Sequence, residues 1–232
     1  MKRVILMDLD DTILDFGRAE SRAIGRLLTE LGLPSDEGVR ALYSEINLKH
    51  WKRLERGEIT RREVLVGRFR EFLAHLGSSH DPETVQARYE HLLSEGHFFI
   101  DGAPEVLEIL APRYDLYLAS NGTGVVQRGR LQSAGILPYF GGCFLSEERG
   151  AEKPKPAFFD GVFRALGEER RAGAVMVGDS LTSDILGGIR AGIATVWFNP
   201  KHRPPSPDIC PDREISSLAD LPAAIEEISY PT

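Results

Sequence analysis

Asp8 and Asp10 follow the apolar run Val4–Met7 and stand two residues apart. On an extended chain, positions i and i+2 point the same way, so both carboxylates would leave one strand end together. Further along, Ser120 and Asn121 follow the apolar Leu116–Ala119, and Lys153 sits between Glu152 and Pro154. Asp179 follows Val175–Gly178, with Asp184 a helical turn or so beyond it. Carboxylates crowded in a partly dry site repel one another strongly. A divalent cation relieves that repulsion, and hard oxygen ligands select magnesium. These are the parts of phosphoryl transfer. An aspartate attacks phosphorus and forms an acyl phosphate. The metal and Lys153 stabilise charge on the equatorial oxygens, and the Ser120 hydroxyl with nearby backbone N–H groups can hold another. A second acid must protonate the leaving alcohol and then take a proton from water; Asp10 has the position for that role.

The elements that position these groups follow from hydrophobic periodicity. Val4 to Asp10 reads as a buried strand ending in acids. Helical spacing then dominates: Ala23, Leu27, Leu28 and Leu31 share one face, with Gly32 as a stop. Val64, Phe69, Phe72, Leu73 and Leu76 form a second stripe ended by Gly77, and Tyr89, Leu92 and Leu93 suggest a third helix. From about Phe98 strands and helices alternate. Helices are expected over 103–110, 125–134, 157–166, 183–191 and 217–228, and strands over 116–119, 143–145, 174–177 and 194–198. Strands separated by helices imply a parallel sheet, with ligands bound at its carboxyl edge. The expectation is an α/β fold: a three-layer Rossmann-like core over 1–16 and 97–232, with an α-helical cap inserted over 17–96. Pro200 to Pro211 reads as an irregular surface loop.

Composition narrows the function classes. At 232 residues the chain can bury a core without disulfides, and its two cysteines, Cys143 and Cys210, are far apart and form no CxxC pair. A reducing cytosol therefore suits it better than secretion, and the start, MKRVILMDLDD, does not read as a signal peptide. No stretch approaches the roughly 18 apolar residues of a membrane span. A net charge of -7 argues against nucleic-acid polymers and anionic lipid as partners. A small phosphate monoester needs only a local positive site, and a monomer or homodimer is expected.

Four motifs carry a family resemblance. DLDDTILDF resembles the DxDxT motif of the haloacid dehalogenase superfamily, and ASNG its second motif. EKPKPAFF resembles its lysine motif, and VGDSLTSDILGGIRAG its acidic fourth motif. The resemblance implies Asp8 as nucleophile, Asp10 as acid/base, and magnesium held by Asp8, the Asp10 carbonyl and Asp179, with Asp184 assisting. It implies phosphate contacts from Ser120, Asn121 and Lys153, and a helical cap that opens and closes over the site, with hinges near Phe16-Gly17 and Glu95-Gly96. A narrower resemblance, through NLKHWKRLERGEIT and GDSLTSDILGGIRAGIATVWFNPKHRP, is to the pyrimidine 5′-nucleotidase branch, which dephosphorylates nucleoside monophosphates. Sugar-phosphate phosphatases and phosphomutases of the superfamily share much of the pattern. A dehalogenase fits less well, because true dehalogenases lack an acid at the position of Asp10. A non-catalytic binding protein would be expected to have lost Asp8, Lys153 or Asp179.

In the insertion, Asn47, Trp51 and Arg53 are the candidate substrate contacts. Trp51 has two readings: a platform for a base, worth about 1–3 kcal/mol in nucleic-acid binders, or a member of the cap core. The six histidines form no metal-spaced set and read as surface residues. Gly187, Gly188 and Gly192 read as sites of close helix packing and a helix stop.

Overall fold

Val4–Met7 is apolar at every position, as a strand covered on both faces must be. In the computed structural model, which describes residues 2–228, it is β1, fully buried at the centre of the sheet. Asp115–Ser120 (β2), Cys143–Leu145 (β3), Val175–Gly178 (β4), Ala194–Phe198 (β5) and Arg213–Ile215 (β6) complete a parallel sheet in the order β3-β2-β1-β4-β5-β6. Strand order reverses at β1, so the crevice where ligands bind in such sheets opens at its carboxyl end. The register fixes what lies there: Met7 pairs with Leu118 and with Val177, so Asp8 and the ends of β2 and β4 emerge together.

The first four helices are the insertion: Phe16–Glu30 (α1), Glu37–Glu55 (α2), Arg61–His75 (α3) and Pro82–Ser94 (α4). Asp15, Asp36 and Asp81 cap α1, α2 and α4 by accepting from backbone N–H groups. Thr60 and Glu63 form a reciprocal capping box on α3, which satisfies two otherwise orphaned donors. The insertion has its own core. Tyr43, Phe69 and Tyr89 pack in tilted and edge-on contacts with ring centroids 5.2–5.3 Å apart, and Phe72 lies edge-on to Tyr43. Ala103–Leu110 (α5), Gly124–Ala134 (α6), Ser146–Arg149 (α7), Pro156–Leu166 (α8), Leu186–Arg190 (α9) and Leu221–Glu226 (α10) belong to the sheet domain. Among the described residues no helix is long and apolar enough to cross a membrane.

Several expectations need correction. Helix α2 has no clean apolar stripe because it buries Asn47 and His50 beside Tyr43, Ile46 and Leu54; polar side chains on the inward face hid it. The same observation corrects the reading of the histidines: His50 is buried and meets Glu71 at 3.0 Å, while the other five are exposed. The expected helix over 183–191 begins as a π-turn, Leu181–Ile185, before α9. The expected final helix is a 3-10 turn, Leu218–Asp220, leading into the short α10. Strand β6 was not foreseen, having only three residues, two of them charged. The glycine readings hold: a Cβ on Gly187 would lie 2.7 Å from the Phe159 ring, one on Gly188 2.6 Å from Thr195 Cγ2, and Gly192 has a φ of +68°.

Because Phe69 is fully buried at the centre of the cap's ring cluster, Phe69→Ala should cost about 3–5 kcal/mol. Thermal unfolding should register this as a fall of about 2–4 °C per kcal/mol. An unchanged Tm would remove these rings as the packing centre of the insertion.

Candidate active site

The carboxyl edge of the sheet gathers the acids into one cavity. The Asp8 N–H donates to the Val177 carbonyl at 2.9 Å, which extends pairing one residue beyond β1 and fixes where its side chain leaves. Asp11 then adopts a φ of +58°, breaking the strand, and its carboxylate accepts from Phe16 N at 3.0 Å, at the start of α1. Gly178 ends β4 where a Cβ would sit 2.3 Å from Asp184 Oδ2. Only glycine lets the Asp184 carboxylate lie against the strand end and accept from Ser180 N at 3.1 Å.

Lys153 is the hub. Its ammonium, 1% exposed, donates to Asp8 Oδ1 at 2.8 Å, to Asp184 Oδ1 at 2.6 Å and to the Ala119 carbonyl. Its three N–H donors are thereby matched to three acceptors. Burial favours the neutral amine, yet Asp184 and Asp8 outweigh burial and hold Lys153 above the ordinary lysine range. Asp8 is itself pushed well up by burial and by Asp184, Asp10 and Asp179, against the pull of Lys153. Asp179 is raised to about 7 by burial, Asp184 and Asp11, opposed by Arg203.

Carboxylate oxygens of Asp8, Asp179 and Asp184 lie within 4.8 Å of one another. One lysine does not neutralise this set, as the upward shifts of Asp8 and Asp179 show. Three hard oxygen donors with excess negative charge fit a small divalent cation. The Asp10 side chain turns away from that cluster: its carboxylate accepts from Gln127 Nε2 at 2.7 Å and from Arg130. Any part Asp10 takes in metal binding falls to its main-chain carbonyl, not its carboxylate. Arg130 is fully buried and also donates to the Gly96 carbonyl at 2.9 Å, tying Asp10 to the start of the return from the insertion.

Ser120 and Asn121 part company. Ser120 Oγ accepts from Gly122 N and Gln127 Nε2 at the edge of the cavity. The Asn121 side chain is spent on architecture: it donates to the Lys153 carbonyl and accepts from Lys153 N, both at 2.9 Å. The Asn121 side chain thus supports the Lys153 loop, which leaves its backbone N–H as the group it could offer a phosphate. The cap closes over this floor. Arg61 donates to the carbonyls of Asn121 and Gly122 at 2.7–3.1 Å, and Lys52 donates to Thr182 Oγ1 at 2.9 Å.

The cavity has a volume of about 550 Å³, is open to solvent on one side, and reaches from Asp8, Asp179 and Lys153 up to Asn47 and Trp51. Arg53 does not line it; it lies partly exposed 3.6 Å from Glu58, so its candidacy as a substrate contact is withdrawn. Sequence reasoning missed Glu20 and Arg68 from the cap, Gln127 and Arg130 from α6, and Lys201 and Arg203 from the 200–211 loop. The α6 pair stands three apart at helical spacing, a signal readable only once α6 is known to face Asp10.

Residues 2–192 match the model of the haloacid dehalogenase-like hydrolases, and the chain belongs to that family. It is 38% identical to the HAD-hydrolase YfnB of Bacillus subtilis, over 94% of this chain and 93% of that one. It is 36% identical to the pyrimidine 5′-nucleotidase PynA of Streptococcus pneumoniae, with the same coverage. It is 30% identical to the pyrimidine 5′-nucleotidase YjjG of Escherichia coli, over 94% of this chain and 95% of that one. A crystal structure of YfnB bound to magnesium superposes with a TM-score of 0.91 at 37% identity, covering 98% of this chain and 99% of the other.

Magnesium at about 100 times its Kd should stabilise the protein by about 2.7 kcal/mol, a Tm rise on the order of 5–10 °C. Asp179→Asn should lose most of that rise. An equal rise in the variant would take Asp179 out of the cation site.

Proposed function

We propose that this haloacid dehalogenase-like hydrolase cleaves small phosphate monoesters through an aspartyl-phosphate on Asp8, with magnesium as cofactor, and that its substrates are nucleoside 5′-monophosphates, pyrimidine ones first. The observation that carries the chemistry is the Lys153 ammonium shared between Asp8 and Asp184 at the floor of a capped cavity. The nucleotide assignment is supported by the likeness to PynA and YjjG and by the half-buried indole of Trp51 on the cavity wall. Residues 1–16 with 97–232 are read as the core and 17–96 as the cap.

Asp8, Asp179 and the Asp10 carbonyl would hold magnesium, with Asp184 beside them; the bound ion would supply charge neutralisation and polarise the phosphate. Asp8 Oδ1 faces Lys153, whereas Oδ2 has only a long contact, 3.4 Å, from Thr12 Oγ1. Oδ2 is therefore the oxygen placed to attack phosphorus. Lys153 holds Asp8 in orientation and meets the negative charge that builds on the phosphoryl oxygens. Its N–H donors are already matched, so it turns toward phosphate as Asp8 gives up charge to the new ester bond.

Asp10 faces Arg130 and Gln127. To give a proton to the leaving oxygen, its side chain must move off those donors. Water then attacks the acyl phosphate, Asp10 takes the proton, and Asp8 is released. Closure of the cap over substrate excludes bulk water, which strengthens every charge interaction in the cavity. The two free cysteines suit action in a reducing cytosol.

Phosphate release should be measured across nucleotides and sugar phosphates with magnesium. Asp8→Asn should abolish turnover, and Asp10→Asn should lower kcat by about 10²–10⁴-fold. Turnover of a sugar phosphate with none of any nucleotide would remove the nucleotide assignment. Isomerised sugar phosphate without free phosphate would mark a mutase, and activity intact in Asp8→Asn would remove the nucleophile.

A further inference from the structure

The roof of the cavity contains a buried cation with no carboxylate on it. Arg68, on α3, is 3% exposed. Its guanidinium donates to Asn47 Oδ1 at 2.6 Å and to Gln86 Oε1 at 2.8 Å. Its Nε, fully shielded, has no partner among the described residues. Asn47, on α2, passes the contact on, donating to Glu20 Oε1 at 2.6 Å, and Ser44 donates to the other Glu20 oxygen. Glu20 and Arg68 thus form an ion pair with an amide inserted between its members. Glu20, Ser44, Asn47 and Arg68 all line the cavity.

The Phe69 and Tyr89 rings, 5.3 and 5.2 Å from its guanidinium carbon, steady Arg68 in the core, but they account for neither Asn47 nor Glu20 at its cavity end. Interposing an amide weakens the attraction between two buried charges, and apolar residues of similar volume fill such a space at least as well. Nη1 and Nη2 each carry a second N–H beyond the one given to protein, and these, rather than the shielded Nε, are the donors a ligand acceptor at the roof would meet. The charge balance says which kind. On the cap wall Glu20, Glu55 and Glu90 stand against Lys52 and Arg68, three negative charges to two positive. A leaving group with its own carboxylate or second phosphate would meet net repulsion, while a neutral carbonyl would not. Trp51 lines the same wall, with the Arg61 guanidinium 5.6 Å over its ring.

We propose that Glu20, Asn47 and Arg68 select the leaving group: Arg68 donates to a carbonyl of a neutral, planar group, and Glu20 with Glu90 excludes groups that carry negative charge. A nucleobase carbonyl is such an acceptor, and in that respect the proposal rests on the nucleotidase reading. The exclusion of acidic leaving groups stands apart from it.

The test compares kcat/KM on uridine 5′-monophosphate, p-nitrophenyl phosphate and 3-phosphoglycerate, whose leaving group is acidic. Wild-type enzyme should prefer the nucleotide to the acidic ester by about 100-fold or more. In Arg68→Met, kcat/KM for the nucleotide should fall at least about tenfold further than for p-nitrophenyl phosphate, chiefly through KM. Glu20→Gln keeps shape, and its amide can still accept from Asn47 while donating to the Ser44 hydroxyl, so it tests the charge even if Arg68→Met does not fold. It should narrow the preference over 3-phosphoglycerate by about tenfold. Equal falls on both substrates in Arg68→Met, or an unchanged ratio in Glu20→Gln, would overturn the proposal, as would a wild-type preference for the acidic ester. Wild-type enzyme that favours neutral sugar phosphates over the nucleotide, with Glu20→Gln still admitting the acidic ester, would overturn the nucleotide reading and leave the selector in place.

Discussion

The burial of one ammonium between two carboxylates governs the rest of this structure. Lys153 lies inside the protein with Asp8 and Asp184 on either side. Taking such charges out of water costs several kcal/mol per ion, and the cost is recovered only where geometry is good and each donor is matched. The fold supplies that matching from separate segments. Strand β1 brings Asp8, the end of β2 brings the Ala119 carbonyl, and the turn after β4 brings Asp184. Asn121 grips the backbone of Lys153 at both its N–H and its carbonyl. Gly178 provides the space in which Asp184 fits. Remove the shared cation, and three carboxylates within 4.8 Å of one another have no internal reason to converge.

The same constraint leaves the site short of positive charge. Asp179 is pushed to about 7, and Asp8 too is raised. A divalent ion fits this deficit. Above the floor, polarity changes character. The cap presents hydrogen-bonding groups in near charge balance, with Trp51 and Leu48 beside them. The cavity thus has a floor crowded with carboxylates around Lys153 and a cap wall where acids and bases nearly balance. Behind the cavity wall, Arg130 links Asp10 to the carbonyl of Gly96.

How much of this was legible in the sequence follows from which forces leave a pattern. The sheet was readable because strands buried on both faces are apolar throughout, as Val4–Met7 and Val175–Val177 are. The acids were readable because they stand directly at those strand ends. Helix α2 was not, since a helix that turns Asn47 and His50 inward has lost the apolar stripe that announces it. Its obscurity and its place in the cavity roof share one cause. Arg68, Gln127 and Arg130 were equally hidden: on a helix, a functional polar residue and a solvated one look alike until the neighbouring element is known. Arg53 was the converse, a basic residue near Trp51 in sequence that faces Glu58 rather than the cavity. Asn121 was placed correctly at the strand end, but sequence could not say that its amide would be spent on the Lys153 backbone.

The central claim is that Asp8, held by Lys153, bonds to phosphorus. The most direct measurement is to quench the enzyme during turnover, reduce with borohydride, and map the modified residue by mass spectrometry. Borohydride converts an acyl phosphate of aspartate to homoserine. The account predicts homoserine at position 8, dependent on substrate and absent from Asp8→Asn. Modification at another carboxylate, or none while phosphate is released in a burst, would contradict it.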